Sequence, residues 1–161
     1  MIKVNENVEV RQIVGLKNHE WIKILNWMYE WWGKEEGYSI EEVACYLKHG
    51  MNKDHFPYMF GLYKNDCLIG MYQLTYSDLD IRPDLYPWVA NVYIDSKYRG
   101  RGYGRVLLTS IQDNMKIYHI HELYLYTYHQ NLYEKFGFEY LEDIDTFSKI
   151  PRIQRIYHIK L

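Results

Sequence analysis

One segment in the middle of the chain, residues 88–108, constrains the fold more than any other. Its first part, Trp88–Ile94, is rich in β-branched and aromatic residues, as expected for a β-strand. After a polar turn, three glycines alternate with basic and aromatic residues over positions 100–105. Apolar residues then recur at helical spacing from Val106 to Met115. The segment therefore predicts a strand, a basic glycine-rich turn and a helix in immediate succession.

The glycine-rich turn has the chemistry of an anion-binding site. Glycines at the start of a helix let backbone N–H groups approach a ligand closely, and the helix dipole favours negative charge there. Arg99, Arg101 and Arg105 add guanidinium donors that suit phosphate oxygens. The spacing G-x-G-x-G, without a following Gly-Lys-Ser/Thr, excludes a Walker A loop and a dinucleotide-binding fingerprint. From the residues alone, a diphosphate site and a solvated basic turn both stay open.

The rest of the chain predicts strands and helices arranged around this segment. Strands are expected at residues 8–14, 57–64, 67–77, 88–94, 122–127, 138–145 and 152–160, and helices at 21–32, 40–48, 106–115 and briefly at 133. Residues 88–127 form a βαβ unit, whose two strands should be parallel with a right-handed crossover. The hairpins on either side should pair antiparallel. The expected fold class is therefore α/β (mixed α+β), with helices on both faces of a mixed sheet.

Length, charge and cysteine content narrow the class of protein. A chain of 161 residues suits one domain, expected to span residues 1–161. The formal charge of −2 argues against binding to nucleic acid or to a membrane surface. Cys45 and Cys67 form no disulfide framework and the N-terminus lacks signal-peptide features, which favours a cytoplasmic location. His119 and His121 lack convincing partner ligands, so no metal site is expected.

Two motifs, in this order, resemble the GNAT N-acetyltransferase superfamily. Arg99-x-x-Gly102-x-Gly104 directly follows a hydrophobic strand and is similar to the acetyl-CoA loop of that family, Gln/Arg-x-x-Gly-x-Gly/Ala. Downstream, LYEKFGF at residues 132–138 is similar to the family's tyrosine-bearing short helix and the turn after it. The strong match covers residues 88–140. The resemblance implies a mixed sheet in which antiparallel hairpins flank a central parallel pair, splayed apart where the cofactor enters.

The resemblance also implies where the co-substrate acetyl-CoA binds. Pantetheine would bond the main chain of Val92 and Ile94, and the pyrophosphate would lie over the amides of residues 100–105. A backbone N–H near Val92 would stabilise the oxygen of the acetyl group, a contribution of typically about 3–4 kcal/mol. The expected binding residues are Val92, Tyr93, Ile94, Arg99, Gly100, Arg101, Gly102, Tyr103, Gly104 and Arg105.

Tyr133 is the expected catalytic residue, because it occupies the tyrosine position of the second motif. A phenol, whose pKa is ordinarily about 10, stays protonated at pH 7 and can donate to the departing thiolate. The general base is not defined by the sequence. Many relatives have a glutamate on the strand where this chain has Asn91, which can orient water but cannot accept a proton.

Other residues are expected near the amine acceptor. Asp78, Asp80 and Asp84 are alternative proton acceptors or amine-binding charges, although a solvated acidic loop explains them as well. Trp27, Trp31 and Trp32 are either core residues or a wall of the acceptor site, since early helices often contribute to acceptor sites in the family. The expected substrate contacts are Asn91, Asp80 and Trp31.

The sequence thus predicts an acetyl-CoA-dependent N-acetyltransferase acting by direct attack of a primary amine in a ternary complex. The acceptor would be a small molecule or a peptide amine, with no nucleic-acid or membrane partner. Family members frequently dimerise, so the resemblance suggests a homodimer as an oligomeric state to test. A non-catalytic module that binds or senses acyl-CoA is the main alternative, suggested by the missing carboxylate on the strand. The second alternative is a protein that binds a nucleotide or phosphate through the same loop.

Overall fold

The computed structural model describes residues 6–145 and 153–161. Its elements in chain order are β1 (Val8–Ile13), α1 (Asn18–Met28), α2 (Ile40–Lys48), β2 (Tyr58–Lys64), β3 (Cys67–Thr75), β4 (Trp88–Ile94), α3 (Tyr103–Ile117), β5 (Glu122–Thr127), β6 (Glu139–Asp145) and β7 (Ile153–Lys160). A π-helical turn, Tyr29–Gly33, extends α1, and 3₁₀ turns lie at Ser96–Tyr98 and Tyr133–Phe136. The seven expected strands are confirmed. The expected start of the last strand at Arg152 lies outside the described residues.

The strands form one sheet in the order β1-β2-β3-β4-β5-β7-β6. Within the described residues β4 and β5 are the parallel pair, and the other neighbours run antiparallel. The mixed sheet with a central parallel pair is therefore confirmed. Because β7 enters between β5 and β6, β5 is covered by β7 along one edge and faces β4 along the other.

Helices cover both faces of the sheet, as expected. In β2, Met59 and Tyr63 belong to the cluster formed with α1 and α2, whereas Phe60 and Leu62 belong to the cluster formed with α3. Successive side chains of a strand point to opposite faces, so a strand buried on both faces becomes apolar along its whole length. This explains the continuous apolar run of β2, whose residues from Tyr58 to Tyr63 are all buried.

The N-terminus of α2 is fixed by the predicted capping box. The Glu42 backbone N–H donates to Ser39 Oγ at 3.1 Å, and the Ser39 N–H donates to the Glu42 carboxylate at 2.7 Å. Each bond satisfies a donor that the helix itself leaves unpaired. The box sets where α2 begins, and α2 brings Tyr46 to the edge of β4.

The strands β4 and β5 diverge soon after they begin to pair. Within the described residues one register pair, Trp88 with Tyr124, joins them. On its other edge, β4 shifts register against β3 between Met71 and Gln73, and Asn91 lies in this stretch with a φ of 54°. An extra residue on one strand forms a β-bulge and bends it, and Asn tolerates the left-handed conformation that this requires. The bulge bends β4 beside the opening between the two strands.

Candidate active site

A cleft of about 720 Å³ fills the opening between β4 and β5. Its walls come from β4, from the end of β5 with the loop after it, from α2 and the turn that follows α1, and from the β3–β4 loop, residues 76–87. The structure brings five of the predicted site residues to this cleft. They are Trp31, Asp80, Asn91, Val92 and Tyr133. Residues that lie far apart in sequence therefore meet at the parallel pair.

Tyr133 presents a hydroxyl group without a partner. The side chain lies on the 3₁₀ turn after β5 and is 7% exposed, packed against Phe138 and Tyr157. Among the described residues, no hydrogen-bond partner reaches its hydroxyl. Burial raises the pKa of Tyr133 to about 12. Since buried hydroxyls are normally hydrogen-bonded, a free one in a cleft is available to a ligand.

The glycine-rich turn is open at the start of α3. Gly102 is the N-cap with a φ of 89°, and no side chain caps the helix there. Gly104 lies in the first turn without a positive φ, and a Cβ built on it would meet nothing within 4 Å. The protein itself therefore has no need of glycine at 104, whereas a ligand approaching the N-terminal amides would. Arg101 and Arg105 are exposed beside this turn.

Three predicted binding residues use their side chains to support the turn. Arg99 Nε donates to the carbonyl oxygen of Ile94 at 2.8 Å, and its guanidinium lies 5.0 Å from the centre of the Tyr93 ring. Tyr103 is 3% exposed and donates its hydroxyl proton to Glu6 at 2.8 Å. What Tyr103 can offer a ligand is thus its main-chain N–H in the first turn of α3.

The Asn91 side chain holds the bulge in place. Its amide nitrogen donates to Gln73 Oε1 at 2.6 Å and to the Tyr46 hydroxyl at 3.0 Å. The amide has two protons, so both are used within the protein. Asn91 therefore ties β4 to β3 and α2, and only its carbonyl oxygen stays available to a ligand.

The early tryptophans divide between core and cleft. Trp27 is buried in the cluster of α1 and α2, with its ring 5.3 Å from that of Tyr93. Trp31 is 41% exposed and lines the cleft together with Trp32. Trp31 also contacts Tyr93, at 5.5 Å between ring centres. Trp31 and Trp32 therefore line the cleft, and Trp27 is a core residue.

The cleft is acidic. Five carboxylate residues line it and, among its described lining residues, there is no Lys or Arg: the acids are Glu35, Glu36, Glu42, Asp78 and Asp80. The Glu42 carboxylate also accepts from Ser39 in the capping box. Asp84 is absent from the lining and instead pairs with Arg82 at 2.8 Å. Burial raises the pKa of Asp78 to about 7, and the negative charge of Asp80 adds to the rise.

Some residues of the cleft were missed from the sequence. Glu35 and Glu36 follow the turn at the end of α1. Nothing in that polar stretch of sequence indicates that it lies close to β4 in the folded protein. Tyr46, Tyr126 and His129 also line the cleft. The alternation of tyrosines in β5 was a usable signal for Tyr126, because every second residue of a strand shares one face.

In residues 6–145 and 153–161, no group of three or more His, Cys, Asp or Glu side chains is placed to hold a metal ion. No helix in the same ranges is long and apolar enough to cross a membrane.

Comparison with known proteins agrees with the geometry. Residues 19–138 match the family profile of the acetyltransferase (GNAT) family. The spermine/spermidine N(1)-acetyltransferase of Bacillus subtilis (strain 168) is 29% identical over 99 residues, which are 56% of this chain and 65% of that protein. The aligned region thus spans slightly less than two thirds of that relative.

Solved structures show the same fold at low sequence identity. A GNAT-family acetyltransferase from Streptococcus pneumoniae superposes with a TM-score of 0.68 at 16% identity, covering 96% of this chain and 99% of that one. The PaiA N-acetyltransferase of Thermoplasma acidophilum, solved in complex with coenzyme A, gives a TM-score of 0.63 at 22% identity with the same coverage. Since the family profile covers most of the chain and the fold agrees, this protein belongs to the acetyltransferase (GNAT) family.

Proposed function

We propose that this protein is an acetyl-CoA-dependent N-acetyltransferase that transfers the acetyl group to a primary amine by direct attack in a ternary complex. The proposal rests mainly on the divergence of β4 from β5. Among the described residues, this divergence leaves the β5-facing edge of β4 unpaired beyond Trp88, with the glycine-rich turn after one end and Tyr133 in the adjoining cleft.

The unpaired edge of β4 suits the amide-bearing arm of coenzyme A. A peptide-like chain can add to an open sheet edge as an extra strand, using main-chain hydrogen bonds. Val92 and Ile94 supply those groups in this proposal. The N–H groups at the start of α3, with Arg101 and Arg105 beside them, bind the pyrophosphate, and the open space at Gly104 supports this assignment.

Tyr133 stabilises the leaving group by a hydrogen bond. With its pKa at about 12, complete proton transfer to a thiolate whose pKa is ordinarily about 8.5 would be uphill by about 5 kcal/mol. The hydroxyl therefore keeps its proton and donates a hydrogen bond to the sulfur as negative charge develops there. A donor placed where charge develops lowers the barrier without being consumed.

The acidic lining supports a cationic acceptor. Carboxylates attract an ammonium group and disfavour an acidic one, and the described lining has carboxylates without Lys or Arg. The relative from Bacillus subtilis is a spermine/spermidine acetyltransferase. We therefore choose a polyamine as the first acceptor to test, with Asp80 and Trp31 as its expected contacts.

The experiment follows thiol release from acetyl-CoA in the presence of spermidine and of a panel of other primary amines. Calorimetry measures coenzyme A binding to the wild type and to Gly104→Glu, which fills and charges the turn. We expect amine-dependent thiol release from the wild type and a Kd raised at least 100-fold in the variant. Gly15→Glu is the matched control, because a Cβ at Gly15 also meets nothing within 4 Å.

Three results would contradict the proposal in different ways. Undiminished binding by Gly104→Glu would remove the pyrophosphate assignment. Tight binding of acetyl-CoA without thiol release across the whole amine panel would identify a non-catalytic module. Equal competition by ATP or NAD would identify a nucleotide binder that has no use for the pantetheine arm.

A further inference from the structure

We propose that Asp78 is the general base of the reaction and takes a proton from the ammonium group of the acceptor. This assignment rests on the proposed function, because it needs an amine in the cleft. Asn91 cannot fill the role, since a carboxamide accepts no proton near neutral pH and its two N–H groups are already donated within the protein. The β3–β4 loop provides the carboxylate that the strand lacks.

Asp78 is held in place by its neighbours on both sides. The Thr75 hydroxyl donates to the carbonyl oxygen of Ser77 at 3.3 Å, just before it. Leu79, just after it, is 4% exposed and packs with Trp88 and Ile156. A solvated acidic loop would have neither anchor. The backbone around Asp78 is therefore fixed against the sheet, as a catalytic group requires.

The surroundings of Asp78 suit proton exchange near neutral pH. It is partly buried and lines the cleft, and no cation or hydrogen-bond donor among the described residues pairs with its carboxylate. Its pKa of about 7 arises first from burial and second from the charge of Asp80. Besides Asp80, the other titratable groups that line the cleft are Glu35, Glu36, Tyr38, Glu42, Tyr46, Tyr126, Tyr128, His129 and Tyr133. A base is most effective when its pKa lies near the working pH.

Asp80 and Asp84 fit the role less well. Asp80 lies in the cleft but is exposed. Asp84 is exposed and bound to Arg82 through two hydrogen bonds, at 2.8 and 2.9 Å. Among the three aspartates of the loop, Asp78 thus combines partial burial, a place in the cleft and an unpaired carboxylate.

The proposed step accounts for every proton. The acceptor enters as an ammonium ion, and Asp78 takes one proton to give the neutral amine. The nitrogen lone pair attacks the acetyl carbon, the C–N bond forms, and collapse of the tetrahedral intermediate breaks the C–S bond. The second proton on nitrogen passes to the departing sulfur, so that the products are the amide and the CoA thiol. Asp78 returns its proton to solvent afterwards.

The test is the pH dependence of kcat/KM with saturating acetyl-CoA, measured from pH 5 to 9.5 on the wild type and Asp78→Asn. In the wild type, kcat/KM should rise through about pH 7 and then level off well below the pKa of the amine, because the enzyme uses the ammonium form. Asp78→Asn should lose about 10²- to 10⁴-fold at pH 7. Its remaining activity should keep rising tenfold per pH unit toward the pKa of the amine, because only the neutral amine then reacts.

Matched variants separate catalysis from folding and from simple charge loss. Asp84→Asn removes the same charge from the same loop outside the cleft and should retain wild-type kcat/KM. Asp80→Asn should move the low-pH limb of the profile to lower pH, because the charge of Asp80 helps to raise the pKa of Asp78. Asp78→Glu should recover part of the lost activity and the levelling-off near neutral pH.

Each outcome decides between the hypotheses. A wild type that releases thiol, with an Asp78→Asn profile of the same height and shape, would overturn the role of Asp78 and leave the proposed function standing. A folded Asp78→Asn variant with reduced activity but an unchanged levelling-off would assign Asp78 to amine binding instead, which also overturns it. A wild type without amine-dependent thiol release would overturn both proposals.

Discussion

At the scale of single residues, Tyr133 differs from the buried Tyr72 in that none of the described residues hydrogen-bonds to its hydroxyl. Tyr72 is the useful contrast, because burial raises its pKa to about 12 as well, yet its hydroxyl hydrogen-bonds to Ser110 and Asn114 away from the cleft. The two residues therefore share chemical character and burial. They differ in whether a ligand can use the hydroxyl, so burial and pKa alone do not identify the catalytic residue.

This contrast predicts opposite effects of two conservative substitutions. Tyr133→Phe should lower kcat by about 10²–10⁴-fold while leaving the Kd for acetyl-CoA and the free energy of unfolding nearly unchanged, because no internal hydrogen bond is lost. Tyr72→Phe should keep kcat and lose about 1–3 kcal/mol of stability, because it removes two hydrogen bonds with partly buried side chains. Thiol-release kinetics and urea unfolding measure both quantities. A fully active Tyr133→Phe would exclude the hydroxyl from the reaction.

The raised pKa of Asp78 predicts that the carboxylate proposed for catalysis lowers the stability of the folded protein at neutral pH. Its pKa rises from an ordinary value of 3.8 to about 7 on folding. Below pH 4 the carboxyl is protonated in both states; between pH 4 and 7 the unfolded chain loses the proton while the folded protein retains it, so stability falls as pH rises. The full shift corresponds to about 4 kcal/mol, and the part of the side chain in contact with solvent reduces this.

Asp78→Asn should therefore be more stable than the wild type by about 1–4 kcal/mol above pH 7, with no difference near pH 4. Urea unfolding at several pH values between 4 and 8 checks this. Asp84→Asn serves as the reference, since it lacks the burial that causes the effect. A stability difference that does not change with pH would show that the Asp78 carboxyl is ionised at the same pH in both states.

At the scale of elements, two of the three glycines in the glycine-rich turn, Gly102 and Gly104, are present for different reasons. Gly102 adopts a φ of 89°, a conformation that costs other residues roughly 1–2 kcal/mol. Gly104 lies in the helix, where glycine is unfavourable by about 0.5–1 kcal/mol relative to alanine. A glycine that weakens its own helix and leaves open space beside it is consistent with the proposed coenzyme A site.

Substitution by alanine should separate these two reasons. Gly104→Ala should raise the stability of the protein by a few tenths to 1 kcal/mol and raise the Kd for coenzyme A at least tenfold. Gly102→Ala should lower stability by about 1–2 kcal/mol. Thermal unfolding and calorimetry measure the two effects. Unchanged affinity in a stabilised Gly104→Ala variant would show that the ligand does not approach this amide.

Elements determined by short-range signals were predicted well from the sequence. The capping box at Ser39 and Glu42 marks the start of α2 at Ile40, and the apolar runs of β4 and β5 give both strands their observed bounds. The bulge at Asn91 was missed, because it depends on how β4 aligns with β3. The insertion of β7 beside β5 was missed for the same reason, since pairing between distant segments leaves no local pattern.

At the scale of the whole molecule, residues of the candidate site could be predicted from the sequence only where they belong to a recognisable motif. Tyr133 and the glycine-rich turn lie in motifs, whereas Glu35, Glu36 and Tyr46 reach the cleft only because helices α1 and α2 pack over β4. A formal charge of −2 for the whole chain gives no sign of this acidic cleft. Local charge is set by the fold, so the composition of the whole chain does not reveal the charge of the cleft.

The opening between β4 and β5 also predicts how the whole protein responds to its ligand. On the proposed function, coenzyme A binds the folded state alone, and at 100 times its Kd it should add about 2.7 kcal/mol to the free energy of unfolding. For a chain of this length, that should raise Tm by roughly 5–11 °C.

Hydrogen exchange should slow at residues 89–94 when coenzyme A binds, because the pantetheine arm would supply the hydrogen-bond partners that β5 does not. ATP and NAD at equal concentration should give a smaller shift without protecting β4, and Gly104→Glu should show no shift with coenzyme A. If ATP stabilised the protein and protected residues 89–94 as much as coenzyme A does, the phosphates alone would account for binding, and β4 would not bind the pantetheine arm.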